Sequence, residues 1–226
     1  ESGKATTFER ANGGSAILGR AKEISKEVLA VHAEQVDRDA LWPEQGLRTL
    51  LREGFGGLVI PKQYGGKGQG LLMLGRVCEL LSKECASTGI CYGMHCVASS
   101  VISANATEFQ RDSFLTPICE GKHLTSLSLS ETGTGIYFYL PQTTLHAVSP
   151  DHYAITGEKV FVTNGGYGDS YVVSAVAGAR EAPVGQFSCV VVPSGTPGIS
   201  WGKPWNGIGM RGNSSRSMTL RGVRVP

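Results

Sequence analysis

Gly157-Glu158-Lys159-Val160-Phe161-Val162-Thr163-Asn164-Gly165-Gly166 is the stretch on which the fold turns. Its centre, Lys159 to Thr163, is rich in β-branched and aromatic residues, and a glycine pair closes it, so it reads as a strand entering a tight turn. Thr156-Gly157 reads as a turn in front of it. Outward in both directions the texture is the same. Thr125 to Ser130 alternates polar and apolar residues, and Ser170 to Val176, Phe187 to Val192 and Met218 to Val225 are further β-branched runs. Ser149-Pro150-Asp151 and Ser194-Gly195-Thr196-Pro197-Gly198 supply the remaining turns. Short strands punctuated by Gly and Pro predict an antiparallel barrel or sandwich over residues 123–226.

Upstream the period changes. Ile17, Ala21, Ile24, Val28 and Val31 step by four and three residues and predict one face of a helix. Trp42-Pro43-Glu44 opens a second helix, with Pro43 at its first position, Leu47, Leu50 and Leu51 on its apolar side and an end near Gly54. Further helices are predicted from about Leu72 to Ser82, from about Tyr92 to Ala104, and from Thr107 to about Cys119. The last begins with a capping box, Thr107-Glu108-Phe109-Gln110. The fold class is therefore α+β: an all-α domain over 1–122 followed by a β domain over 123–226.

The 226 residues carry a net charge of +2, too small a surplus to argue for nucleic acid or an anionic membrane surface. No apolar run reaches membrane-spanning length. No secretory signal is visible at the start. The six cysteines form no Cys-x-x-Cys pair, which favours reduced, mostly buried thiols in a cytoplasmic setting, or the mitochondrial matrix of a eukaryote. Neither they nor the five histidines have metal-ligand spacing, so no metal site is expected. No Gly-x-Gly-x-x-Gly follows a strand and opens a helix, which argues against a nicotinamide-binding Rossmann unit. No serine has a convincing His/Asp partner.

Three further segments complete a pattern: Leu127-Ser128-Leu129-Ser130-Glu131-Thr132-Gly133-Thr134-Gly135, Gly209-Met210-Arg211-Gly212-Asn213-Ser214-Ser215-Arg216, and Leu58-Val59-Ile60-Pro61 with Tyr64-Gly65-Gly66-Lys67-Gly68. With the Gly157–Gly166 stretch they resemble the acyl-CoA dehydrogenases, FAD enzymes that oxidise acyl thioesters. The resemblance runs from about Ala16 to Pro226 and covers the first two domains of that family, without its C-terminal four-helix bundle. It implies that Leu127, Ser128, Leu129 and Ser130 meet the pyrimidine edge of the flavin, with Gly135 in the following loop. It places Phe161 beside the ring, Val162 next to it, and the Thr163 hydroxyl near flavin N5. A strand suits this task, because neighbouring side chains point to opposite faces while backbone donors stay available. Read alone, either segment is an ordinary core strand.

The chain departs from the family pattern at two places that would meet substrate. Ile136 replaces a serine that often contacts the thioester, and isoleucine donates no hydrogen bond. Ser214 replaces an acidic residue, whereas Arg216, close to the acyl ligand in the family, is kept. Ile136-Tyr137-Phe138-Tyr139-Leu140 reads first as a strand packing its two faces, and otherwise as the lining of an acyl pocket. The resemblance implies α,β-dehydrogenation of acyl-CoA or an acyl-carrier thioester with hydride transfer to flavin N5, and reoxidation by an electron-transfer flavoprotein or similar acceptor. It also implies a homo-oligomer, dimer or tetramer, or a second chain supplying the last domain. The family's glutamate base lies in that domain, so no catalytic residue is assigned here and this chain alone is expected to be inactive. A truncated sequence, a split protein and a lost reaction all fit; a truncated one is favoured, because an end after a barrel strand leaves an apolar face uncovered. A flavin-dependent monooxygenase of the same fold and a non-catalytic subunit are the alternatives.

Overall fold

The computed structural model describes residues 7–135, 137–178 and 186–226. Helix α1 (Thr7–Ile24) runs through a π-helical turn (Ser25–Leu29) straight into α2 (Ala30–Arg38). That turn corrects the sequence reading of Val31, which is 68% exposed. A π turn inserts an extra residue into the helical repeat and rotates the apolar stripe. Ile24, Leu29 and Val36 consequently face inward and Val31 faces water. Helix α3 (Glu44–Arg52) follows Pro43 and buries Leu47, Leu50 and Leu51, as its spacing predicts.

A 3₁₀ turn (Lys62–Tyr64) leads to α4 (Leu71–Glu84) and α5 (Ala86–Ala104). Helix α5 starts well before Tyr92, because its first turns carry Ser87, Thr88 and Gly89, which weaken the apolar periodicity although Ser87 and Thr88 are buried. The capping box forms at α6 (Glu108–Gln110): the Gln110 N–H donates to Thr107 Oγ1 (3.2 Å) and the Thr107 N–H donates to Gln110 Oε1 (3.0 Å). The helix continues through a second π turn (Arg111–Leu115) into α7 (Thr116–Cys119), with Pro117 in its first turn.

Among the described residues seven strands follow: β1 (Thr125–Ser128), β2 (Thr144–Ser149), β3 (His152–Val162), β4 (Ser170–Ala177), β5 (Ser188–Pro193), β6 (Ile199–Trp201) and β7 (Arg216–Val225). Their order is β1-β4-β2-β3-β7-β6, with β5 on the other edge of β4. The sheet curls into a half-barrel and is mixed, where the sequence suggested an antiparallel one. Strand β4 is the reason. Ser170–Val173 pairs in parallel with β1 and Val176–Ala177 in parallel with β2, so two strands take successive lengths of one edge.

Thr156-Gly157 is not a turn. Strand β3 runs through it with a register shift between Ile155 and Gly157, and the true turn is at Pro150-Asp151. Glycine is required there by closeness: a Cβ on Gly157 would lie 2.4 Å from Thr143 Oγ1. Tyr137 to Leu140 forms exposed turns instead of a strand, and Ile136 lies outside the described residues.

One apolar cluster fills the helical half and another the sheet. A third joins them, packing Ile60, Ala98, Ile102, Phe114, Leu115 and Ile118 against Leu127 and Val172. This shared core holds β1 against α5 and so fixes where the sheet's edge begins.

Candidate functional site

The site is made by an irregularity in β3. Lys159 pairs with Met218 and Val162 with Arg216, so three steps on β3 oppose two on β7. Such a bulge carries one extra residue and breaks the inward–outward alternation. Ile155 and Lys159 face inward; simple alternation would send Phe161 the same way. Instead Phe161 adopts φ +55° and is 63% exposed, while Val162 takes the core position. The bulge thus turns a flat aromatic ring outward at the end of the strand.

Beside it runs the segment that leaves β1. Three hydrogen bonds bind the two together: Ser126 Oγ donates to the Thr163 carbonyl (2.8 Å), the Val160 N–H donates to the Ser130 carbonyl (2.8 Å), and Lys159 Nζ donates to the Leu129 carbonyl (3.3 Å). The other edge of the segment is left open. Among the described residues the amide N–H groups of Leu129, Ser130 and Thr163 have no acceptor. The Ser128 hydroxyl, 1% exposed, has no hydrogen-bond partner. Buried polar groups are normally paired, so unpaired ones gathered beside an exposed ring mark a surface shaped for a ligand with a flat face and a polar edge. The residues present fit a flavin by this test. The face is half open: Leu129 and Ser130 are half-buried, and a cleft of about 440 Å³ bordered by Leu29, Trp42, Arg48 and Thr88 lies in the helical half instead.

Beneath this face sits a buried ion pair. Lys159 and Glu131 are 0% and 4% exposed, and Lys159 Nζ lies 2.6 Å from Glu131 Oε1. Lys159 also donates to Ser174 Oγ (2.9 Å). Glu131 further accepts from the amides of Gln142 (2.6 Å) and Thr143 (3.1 Å) and from Thr143 Oγ1 (2.6 Å). Burial pushes Glu131 up, but its bonds from Lys159, Thr143 and Gln142 outweigh that and hold the carboxyl below its ordinary value. Burial lowers Lys159, and Glu131 offsets this only in part. A carboxylate so occupied is no proton acceptor for a substrate.

The third segment closes the site from β7. A 3₁₀ turn (Arg211–Asn213) lies between two left-handed residues, Met210 (φ +52°) and Ser214 (φ +49°). Ser214 Oγ donates to the Gly165 carbonyl (3.0 Å) and accepts from Arg216 Nε (3.1 Å). The Arg216 guanidinium stands 5.8 Å over the Tyr167 ring, which stacks on Trp42 at 4.7 Å and 5°. Asn164, fully buried at φ +60°, fastens the assembly: its side chain accepts from Trp42 Nε1 (2.9 Å) and donates to the Cys91 carbonyl (3.0 Å). Gly165 allows the approach, since a Cβ there would sit 2.9 Å from the Val162 carbonyl and 3.0 Å from that of Ser214.

Of the residues singled out from sequence, Leu129, Ser130, Phe161 and Thr163 line the shared edge. The Leu127 and Val162 side chains point into cores, and both residues are paired within the sheet. Gly135 makes a left-handed turn (φ +53°) closed by its N–H on the Glu131 carbonyl (3.3 Å). Ser214 and Arg216 meet each other, and Ile136 lies outside the described residues. Sequence reading missed Lys159, Glu131, Asn164, Trp42 and Tyr167. A lysine on the inward phase of a strand was the one available signal.

Among the described residues no His, Cys, Asp and Glu cluster could hold a metal ion, and no helix is long and apolar enough to cross a membrane. The acyl-CoA dehydrogenase N-terminal domain model matches residues 15–122 and the middle-domain model residues 126–223. A probable acyl-CoA dehydrogenase of Bacillus subtilis, YngJ, is 33% identical over 207 residues, which is 91% of this chain and 54% of its own length. Butyryl-CoA dehydrogenase from Megasphaera elsdenii has a TM-score of 0.84 at 25% identity, over 100% of this chain and 58% of that one. A chain in the electron transferring flavoprotein structure from Acidaminococcus fermentans reaches 0.87 at 28% identity, again covering 100% and 58%. This chain spans about half the length of the curated relatives it matches.

Proposed function

We propose, from the premise that this chain belongs to the acyl-CoA dehydrogenase family, that it forms the flavin-binding part of an FAD-dependent acyl thioester dehydrogenase. On this reading its two domains are 1–122 and 123–226. The observation that carries the proposal is the bonding of Leu129 and Ser130 to Lys159 and Val160, next to Phe161 and Thr163, around amide donors that nothing else in the described chain uses. When bound, FAD would supply two-electron acceptor chemistry for the α,β-dehydrogenation of the thioester.

The chain's own groups do the holding. The amides of Leu129 and Ser130 bind the polar edge of the ring, Phe161 covers one side of it, and Thr163 offers a hydroxyl from the end of β3. Arg216, fixed by Ser214 and Tyr167, is the cation proposed to meet the acyl thioester. Ile136 and Ser214, in place of hydrogen-bonding partners usual in the family, bear on which thioester fits. No carboxylate of this chain is assigned the base, and Glu131 is excluded from that role by its partners. The base is assigned to the family's C-terminal helical domain, in the same chain, in a homo-oligomeric partner or in a second chain. Acyl-CoA or an acyl-carrier thioester is the substrate class, and an electron-transferring flavoprotein or similar carrier is the acceptor.

The test is spectroscopic. The complete protein should purify yellow, with flavin absorbance near one FAD per chain, and acyl-CoA added without oxygen should bleach it. Protein that stays colourless and takes up no FAD on reconstitution refutes the proposal.

A further inference from the structure

We infer that Lys159 is a positioning and tuning residue for the cofactor, acting through the Leu129–Ser130 peptide on the donor that meets the flavin; this rests on the FAD reading above. The carbonyl that Lys159 grips and the amide N–H of Ser130 belong to one peptide unit. Lys159 Nζ donates to the Leu129 carbonyl (3.3 Å), and the Ser130 N–H on its far end is free among the described residues. A cation on the oxygen of a peptide polarises the whole unit and makes its N–H a stronger donor. Burial magnifies the effect, because Lys159 is 0% exposed and water does not screen it.

The geometry also sets the direction of that pull. All three ammonium protons have an acceptor: Leu129 O, Glu131 Oε1 and Ser174 Oγ. The ammonium is thereby held in one place, at the carbonyl end of the peptide whose N–H is that of Ser130. Glu131 keeps Lys159 charged and ties the start of the next loop to Thr143, so the segment after β1 has a fixed edge without a strand partner. Two-electron reduction puts negative charge on the polar edge of a flavin ring, and a strengthened Ser130 donor stabilises that charge. Lys159 therefore favours the reduced cofactor as well as holding the bound one.

The experiment uses the complete flavoprotein and the double variant Lys159→Met/Glu131→Gln, alongside Lys159→Met alone. Replacing both charges by groups of similar volume avoids leaving one of them buried and unpaired. Apoprotein melting is read first, then FAD affinity by titration and the flavin midpoint potential. The double variant should fold, hold FAD about tenfold more weakly, as a weakened Ser130 donor implies, and show a more negative midpoint potential than the parent. A double variant that folds with parental affinity and potential overturns the inference and leaves the FAD reading intact. One that fails to fold assigns the pair to stability alone and overturns it too. A parent protein that binds no flavin fails at the earlier step, so the two failures are distinguishable.

Discussion

Phe161 is held in a conformation that L-residues avoid, at φ +55°, with its side chain 63% exposed. The left-handed region costs a non-glycine residue about 1–2 kcal/mol, and little packing offsets that cost. Phe161→Gly should therefore be close to neutral in chemical denaturation, since relief of strain and the extra freedom of glycine in the unfolded chain, about 0.5–1 kcal/mol, nearly cancel. FAD affinity should fall in the same variant. A clear loss of stability instead would mean that the ring is a packing element. Thr163 makes the complementary case. Its hydroxyl is buried, and its described contact, Ser215 Oγ at 3.5 Å, is long. Thr163→Val should leave stability within about 1 kcal/mol and slow cofactor reduction about tenfold, the effect of one lost hydrogen bond in the reacting complex. Unchanged reduction kinetics in stopped flow would remove Thr163 from the site.

Between elements, the joint to watch is His95 on α5. The Thr125 N–H at the head of β1 donates to its Nδ1 (3.1 Å), so the proton is on Nε2, which donates to the Gly56 carbonyl (3.1 Å). Burial lowers its pKa from 6.5 to about 4, against smaller opposing effects of its backbone partners. The unfolded chain takes up a proton as pH falls through 6.5, and the folded imidazole does so only near 4. Stability is then lost as pH falls across that window, by about 3 kcal/mol in all, and is insensitive to this group above it. Urea melts from pH 7.5 to 4.5 should show a slope shallower in His95→Gln than in the parent. Parallel slopes would mean that other groups, such as the half-buried His123, govern the response. In β3 and the turn after it, two glycines and a bulge do similar positional work: Gly157 admits Thr143, Gly165 admits Ser214, and the extra residue before Val162 turns Phe161 outward.

At the scale of the molecule, helices and sheet share one of their cores. Leu115, fully buried between the helical half and β1, packs in the cluster that contains Leu127 and Val172. Leu115→Ala should cost about 2–5 kcal/mol and shift helical and β signals together, because the cluster belongs to neither half alone. Far-ultraviolet melting combined with Trp fluorescence would check it. Two separated transitions, with only the helical one moved, would show that the halves fold independently.

Periodicity and turn chemistry are local, so the sequence by itself determined the succession of helices then strands, the α+β class, the capping box at Thr107, and the two segments that meet at the candidate site. Tertiary structure alone decided the parallel pairings of β4, the outward turn of Phe161, the exposure of Val31, and the partnership of Lys159 with Glu131. Each of these depends on register or on a partner distant in the chain. A π turn or a bulge shifts every later side chain by one place, and no residue pattern near Val31 or Phe161 announces it. A buried charge is stable only beside its counter-charge, and Glu131 lies too far along the chain from Lys159 for spacing to reveal it.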